Sequence, residues 1–546
     1  MKILSVNCSH HASICVVDKG EVIFYLESQR VDRKKYSNNI ESAFKYLKDK
    51  EFDWCLYSGY ENDKASVEEY SRQINNIKIK YNLTWKNESF VNHHHLNHAA
   101  CAFYNSGFKD AYCIVSDGGG IPHYVKNKIL GREILSIYKL SHPDKYELIH
   151  QVCANTHGKS FVENSQVSEN TLSLGQLFDL ARNTIKSKEP GGVMALSAYG
   201  KRNKFITRIL RINKNSFTTN VNTIYRMLSY IKKENINFTK ENISYRVQKD
   251  CESIIRFYIK KILKEEPNAN ICLSGGFFQN CVANYEFLKT SSKIYVDPWS
   301  HDGGTSIGAA LMWYYICTKD QNIKKLKNIY LGPEHEIKEF KKTFVKFTDE
   351  DSWTTESVLT SKITNFKEVA ELLANKNIVA IFQGRSEAGP RALGNRSLLY
   401  DARDPKAKEI VNLIKKREWY RPYAGTILLE HANDWFDLRG KKETQFMSYA
   451  LKAKKEKINI IPGVLHIDNT SRMQTLKYED NPNYYSLLKE FYSLTNVPLL
   501  LNTSLNVAGE PLVETLQEAL VFICKTNVNY LYLPDKNYLL IKNEKQ

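Results

Sequence analysis

The chain has 546 residues, too many for one hydrophobic core, so two domains with smaller insertions are expected. A hydrophobic share of 42% against 25% charged residues argues against a disordered or fibrous chain; no apolar run could span a bilayer and no secretory leader opens the chain, so a soluble, cytosolic enzyme is expected. With 77 basic and 60 acidic residues the net charge is +17, an excess that attracts polyanions, while 11 scattered cysteines without C-x-x-C spacing argue against disulfides and a thiolate zinc site.

Residues 2–6, 14–17 and 21–26 read as three strands around the polar turn that carries His10 and His11. Further on, His93, His94, His95 and His98 precede an apolar helical run. Histidines at i and i+4 share one face of a helix, so His94 and His98 can ligate one metal ion. Strands are expected at 111–116, 271–274 and 294–296, each ending at glycine or Asp/Gly signals. Two of these ends supply Asp117, beside Gly118 and Gly119, and Asp302. Two imidazoles with carboxylates and open positions suit a divalent metal acting as a Lewis acid, iron(II) foremost, with manganese, magnesium or zinc as other fits. Gly275 and Gly276 follow the strand at 271–274, where a nucleotide can approach the backbone. Alternating strands and helices with glycines at strand ends indicate an α/β fold whose ligands bind at the carboxyl edge.

Basic residues crowd 201–249 against only Glu234 and Glu241, and Phe205, Phe217, Tyr225, Tyr230, Phe238 and Tyr245 sit among them. Cations interleaved with flat rings suit nucleic acid, although a solvated helix face and core aromatics fit the same pattern. The pattern weakens through a charged and Ser/Thr-rich stretch at 336–364, placing a boundary between domains at 1–350 and 351–546.

The second domain carries a glycine-rich loop after the apolar run 378–382, with Arg385, Arg391 and Arg396 and only Glu387 to neutralise them. Glycines let backbone N–H groups approach a phosphate and guanidinium forks bind its oxygens in pairs, so a phosphorylated or nucleotide substrate is expected. Lys415, Arg417 and Arg421 follow, then Arg472, and then Asn502 and Ser504. Phosphates need cations and a carbamoyl or amide group needs mixed donors and acceptors; both sets are present.

These second-domain motifs, in this order, make the chain resemble the nodulation and antibiotic O-carbamoyltransferases over nearly its whole length. The resemblance implies an actin-like (ASKHA-type) domain similar to the tRNA threonylcarbamoyl-transfer protein, followed by a YrdC-like α/β domain. It also implies a two-stage reaction in which ATP and carbamoyl phosphate form carbamoyl-adenylate, whose carbamoyl group then passes to a hydroxyl at a metal ion. Matched by motif, Arg391, Lys415, Arg421, Arg472 and Asn502 serve the first stage, and His94, His98, Asp117 and Asp302 hold the metal. Arg385, Arg396, Arg417 and Ser504 are expected beside the nucleotide. Two departures stand out: His10-His11-Ala12-Ser13 replaces His-Asp-Ala-Ser, and Ser28-Gln29-Arg30 stands where the family has Glu-Glu-Arg. Both remove a carboxylate from the acceptor side and leave His10 and His11 as candidate bases. With the net charge, they point to a hydroxyl on nucleic acid, a hydroxymethylated pyrimidine such as 5-hydroxymethylcytosine in DNA. The alternatives are a small sugar, antibiotic or nodulation-factor hydroxyl, or a nucleotide-binding tRNA-modification scaffold without carbamoyl chemistry. The assembly state stays open, a homodimer included.

Overall fold

The computed structural model describes the chain except residues 60–63, 126–127, 155–159, 163–170, 214–215, 221–238, 338–341, 349–353 and 544–546. It divides into two units, Met1–Asp32 with Tyr36–Leu326, and Arg33–Lys35 with Lys327–Gln546.

The first unit holds two sheets of the same design. In the first, β1 (Lys2–Asn7), β2 (Ser13–Asp18), β3 (Glu21–Glu27), β4 (Glu51–Ser58) and β5 (Thr84–Phe90) run in the order β3-β2-β1-β4-β5. β2 is antiparallel to β1 and β3, whereas β1, β4 and β5 are parallel. β1 and β2 are buried on both faces in nearly continuous runs, Ser5 and Asn7 among them.

The second sheet contains β6 (Asp110–Ser116), β7 (Pro122–Val125), β8 (Lys128–Ser141), β9 (Lys145–Ala154) and β10 (Ser160–Val162). After a hairpin of β11 (Leu210–Ile212) and β12 (Phe217–Thr219), β13 (Ile271–Ser274) and β14 (Ile294–Val296) complete it, in the order β10-β9-β8-β6-β13-β14 with β7 on β8. Its first long strand, β6, again has antiparallel partners on one side and parallel ones on the other. The helix that leaves each sheet packs on the other: His94–Ser106 follows β5 but lies on β6, β8 and β13, and Gly304–Thr318 follows β14 but lies on β1, β2 and β4. Where these helices cross, a Cβ on Gly308 would lie 1.8 Å from the Asn97 carbonyl oxygen, so only glycine permits the approach. A repeated sheet with exchanged helices is the actin-like arrangement.

The second unit is built on one sheet of eleven strands among the described residues. These are β15 (Lys342–Thr348), β16 (Thr354–Ile363), β17 (Val379–Phe382), β18 (Arg396–Tyr400), β19 (Ala424–Leu428), β20 (Phe436–Asp437), β21 (Ala450–Ala453), β22 (Thr470–Leu476), β23 (Leu499–Ser504), β24 (Tyr530–Leu533) and β25 (Tyr538–Lys542). They run β15-β16-β25-β24-β17-β18-β23-β19-β22-β21-β20. Phe382, Leu398, Ile523 and Leu531 are among its core.

The polar stretch at 336–364, expected to hold the boundary near 350, instead supplies β15 and β16, and the units divide after Leu326. Its threonines with Val358 and Ile363 are good strand formers, and a sheet margin tolerates their polarity. Nine of the 11 cysteines are buried as free thiols.

Candidate functional site

The first unit gathers His94, His98, Asp117 and Asp302, all buried, with one ligand atom of each within 4.8 Å of the others. The two histidines stand one turn apart on the helix His94–Ser106, ring centroids 4.8 Å apart. Asp117 follows β6 and Asp302 precedes the helix Gly304–Thr318. His94 Nε2 is 3.3 Å from Asp117 Oδ2 and 3.9 Å from Asp302 Oδ1, and His98 Nε2 is 3.7 Å from Asp302 Oδ1. Burial resists charging His94, Asp117 and Asp302, yet the opposite partners outweigh it: hydrogen bonding to Asp117 and the charge of Asp302 push His94 up, and the histidines hold both carboxyls below their usual range.

These residues fit a divalent cation. Opposite ligands of an ion with bonds of about 2.1 Å stand ~4.2 Å apart, close to the span of this cluster. Two carboxylates and two neutral imidazoles balance a charge of two, and buried carboxylates facing each other need such a partner. His98 Nε2 is buried without a hydrogen-bond partner. Its other nitrogen, Nδ1, lies 3.4 Å from Ser274 Oγ, which donates to Asp297 Oδ2 at 2.8 Å. With its proton given to Asp297, the hydroxyl can only accept, so Nδ1 carries the imidazole proton and Nε2 keeps a lone pair for the ion.

Glycines close the floor. On Gly275, at φ +97°, a Cβ would lie 2.4 Å from the Ser116 carbonyl oxygen, and Gly276 N–H donates to Asp117 Oδ1 at 2.9 Å. Gly275 thus sets the approach of β13 to β6, and Gly276 the aim of Asp117. Gly118 has open space above its Cα, and Gly119 has only the Arg132 side chain near it.

A second group joins the first at Asp302: one ligand atom of each of His10, His11 and Asp302 lies within 4.8 Å of the others. Next to it, His301 Nε2 and Glu27 Oε1 form a buried pair at 2.8 Å. Burial opposes Glu27's charge, but the charge and hydrogen bond of His301 hold its carboxyl at about 2, and Glu27 in turn pushes His301 up against its own burial. Sequence reasoning missed this pair, as it missed Asp297, because neither has a motif of its own. His93 is exposed, and His95 faces Ser136 and Glu133, with Nδ1 2.7 Å from Ser136 Oγ, so the histidine run divides among three surroundings.

In the second unit the arginine loop folds around Glu387, whose Oε1 accepts the backbone N–H groups of Leu393, Asn395 and Arg396 at 2.8, 2.8 and 3.2 Å. Two arginines expected beside the nucleotide brace the loop instead. Arg396, fully buried, stacks on Phe382 with its guanidinium carbon 3.7 Å from the ring centroid, and it donates to the carbonyls of Gln383, Gly384, Asn395 and Glu514. Arg385 donates to the carbonyls of Leu331 and Gly332. A guanidinium at the base of a tight loop meets backbone oxygens before it meets a ligand, and spacing along the chain does not show this. Arg391 is half-buried.

Arg472, Ala424 and Asn502 form one row across β22, β19 and β23, which puts the Arg472 and Asn502 side chains on one face. Asn502 is buried; Nδ2 donates to Thr426 Oγ1 at 3.0 Å, while Oδ1 has no hydrogen-bond partner. Lys415, ending the helix Ala407–Lys415, donates to Ser504 Oγ at 3.1 Å and to Asn506 Oδ1 at 2.6 Å. Arg421 is buried with its guanidinium 3.8 Å from Glu418, and Arg417 lies 6.0 Å from the Tyr423 ring centroid. Lys415 and Ser504 thus meet, while Arg472 and Asn502 share a face of the sheet with one strand between them.

Much of the basic aromatic stretch lies outside the described residues, including Lys214, Arg226, Lys232, Lys233, Tyr225, Tyr230 and Phe238. Of the rest, Phe217 is core, Arg246 pairs with Asp250 and Lys249 with Glu252 along the helix Lys240–Glu265, while Phe205 is exposed. Among the described residues no helix is long and apolar enough to cross a membrane.

Two family models match, Carbamoyltransferase N-terminus over residues 62–311 and Carbamoyltransferase C-terminus over 370–542. Nodulation protein NolO of Bradyrhizobium diazoefficiens is 28% identical, with 81% of this chain and 77% of that protein covered. Nodulation protein NolNO of Sinorhizobium fredii is 26% identical, with 98% of this chain and 79% of that protein covered. Among solved structures, full-length HypF in its phosphate- and nucleotide-bound form aligns with a TM-score of 0.37 at 15% identity, over 58% of this chain and 56% of that one. With both halves of the family matched in order around the sites described, this chain belongs to the carbamoyltransferase family and is an O-carbamoyltransferase.

Proposed function

We propose that the chain uses ATP and carbamoyl phosphate to make carbamoyl-adenylate in the second unit and passes the carbamoyl group to a small-molecule hydroxyl in the first. The buried cluster of His94, His98, Asp117 and Asp302 carries this reading. A divalent cation bound there would polarise the carbamoyl carbonyl and offset charge gained in the transition state. Asp117, aimed by the Gly276 N–H, and His98, aimed by Ser274, would keep the ligand set rigid. In the second unit, Arg391, Arg421 and Arg472 would bind phosphate oxygens, and the buried Oδ1 of Asn502 would accept from the carbamoyl NH2. Lys415, held by Ser504 and Asn506, would add a fixed positive charge.

For the acceptor, the nodulation proteins among the relatives support a sugar-like hydroxyl over a base in DNA. The net charge of +17, the basic aromatic stretch and the two missing carboxylates are what favour DNA. Incubation with ATP, carbamoyl phosphate and Mn2+, against aminosugars, oligosaccharides, nucleosides and hydroxymethylated DNA, tests both stages. Pyrophosphate release should depend on carbamoyl phosphate, and one sugar-class acceptor should gain the mass of a carbamoyl group. Pyrophosphate release indifferent to carbamoyl phosphate would overturn the reaction; gain only on DNA would overturn the acceptor.

A further inference from the structure

Asp302 belongs to two clusters, and the second has the makings of a cation site of its own. We propose that His10, His11 and Asp302 hold a second divalent cation, bridged through the Asp302 carboxylate to the one held by His94, His98 and Asp117, and that the acceptor hydroxyl binds to this second ion.

Four observations carry it. One ligand atom of each of the three residues lies within 4.8 Å of the others, the same span as in the four-residue group. The Asn7 side chain, itself buried, donates to the backbone carbonyls of His10, His11 and Asp302 at 3.0, 3.0 and 3.3 Å, so one amide ties together the three residues that bear the ligands. The Nδ1 atoms of His11 and of the buried His301 have no hydrogen-bond partner, and the two rings lie 5.2 Å apart. The Tyr36 ring stacks on His10 at 5.5 Å and meets His11 edge-on at 4.9 Å, fixing both imidazoles.

The backbone is consistent with a functional demand: His11 sits at φ +57°, a conformation that costs a non-glycine residue energy. His10 is exposed, which leaves coordination positions on the solvent side for an incoming oxygen. A carboxylate bridging two ions is the usual clamp where one ion serves the attacking oxygen and the other the electrophile.

The acceptor role rests on the carbamoyl-transfer reading; the ion itself does not. An alcohol bound there would lose its proton to solvent. Its oxygen would then form a bond to the carbamoyl carbon as the bond from that carbon to the phosphate oxygen breaks, the electron pair leaving with the phosphate. His10 and His11 would act as ligands and not as bases.

Metal counting tests this without turnover. Chelator-stripped full-length protein is titrated with Mn2+ alone, and bound metal is read by elemental analysis and electron paramagnetic resonance. The expected result is two Mn2+ per chain with an exchange-coupled spectrum, falling to one uncoupled ion in His10→Gln and in His11→Asn, since asparagine tolerates the left-handed backbone. A single Mn2+ per chain in the unaltered protein overturns the proposal, whether or not the variants fold, and so do two in a folded double variant. Carbamoyl transfer with one ion bound would sink the second site and spare the reaction, whereas two coupled ions without transfer would do the reverse.

Discussion

Replacing Ser274 by alanine should weaken the metal site without touching a ligand. The hydroxyl donates to Asp297 Oδ2 at 2.8 Å and faces His98 Nδ1 at 3.4 Å, where all three side chains are buried. Ser274→Ala leaves an imidazole N–H and a carboxylate oxygen without partners, so the metal-free protein should lose about 1–3 kcal/mol of stability. It also frees the His98 ring to turn and to move its proton to Nε2, the atom the ion needs. Loss of such a supporting contact costs about 10–100-fold in metal affinity, which is ~1.4–2.7 kcal/mol. Calorimetric titration of the stripped protein with Mn2+ at fixed pH reads the affinity, and circular dichroism reads the folded state. A folded Ser274→Ala protein whose affinity stays within about threefold of the unaltered one would refute the reasoning, because His98 would then be oriented by something else.

Arg391→Ala should abolish pyrophosphate release driven by carbamoyl phosphate, whereas His98→Ala should spare that release and stop transfer to the acceptor; equal loss of release in both would undo the assignment of stages. Arg396→Lys removes a guanidinium whose donors reach four backbone carbonyls in a fully buried place, and a cost of about 3 kcal/mol or more should appear as a lower melting temperature. Stability should also depend on pH through Glu27 and His301. Glu27 folds with its carboxyl lowered from 4.5 to about 2, so its contribution is complete above pH 4.5 and is lost as pH falls toward 2, by about 3 kcal/mol. His301 is raised from 6.5, so its contribution is complete below pH 6.5 and fades as pH climbs through its folded value. Urea unfolding should therefore show the pair's full contribution between these limits, and Glu27→Gln should flatten the acid limb; an equally steep limb in that variant counts against the pair.

What could be read from the sequence divides along physical lines. β13 and β14 were legible as short apolar runs ended by glycine or aspartate, and their bounds coincide with those expected. The approach of His94 to His98 follows from helical spacing, because one turn of helix is a local rule. The domain boundary was not legible, since Ser/Thr-rich strands at a sheet margin have the composition of a linker. Nor were the roles of Arg385 and Arg396: charge and spacing show that guanidinium groups are present, while their direction depends on a loop wound around Glu387. Asp297 and the Glu27–His301 pair are contacts between distant segments, and only the folded sheets bring them together.

The exchanged helices of the first unit have a further consequence. His94 and His98 ride on the segment leaving the earlier copy of the repeated sheet, while Asp117 and Asp302 come from the later copy. An ion gripped by all four would pin the exchanged helix to the later sheet, converting its affinity into cohesion of the fold. Heat resistance of this unit should then rise with free metal concentration, and prolonged chelation should loosen the joint before it disturbs either sheet.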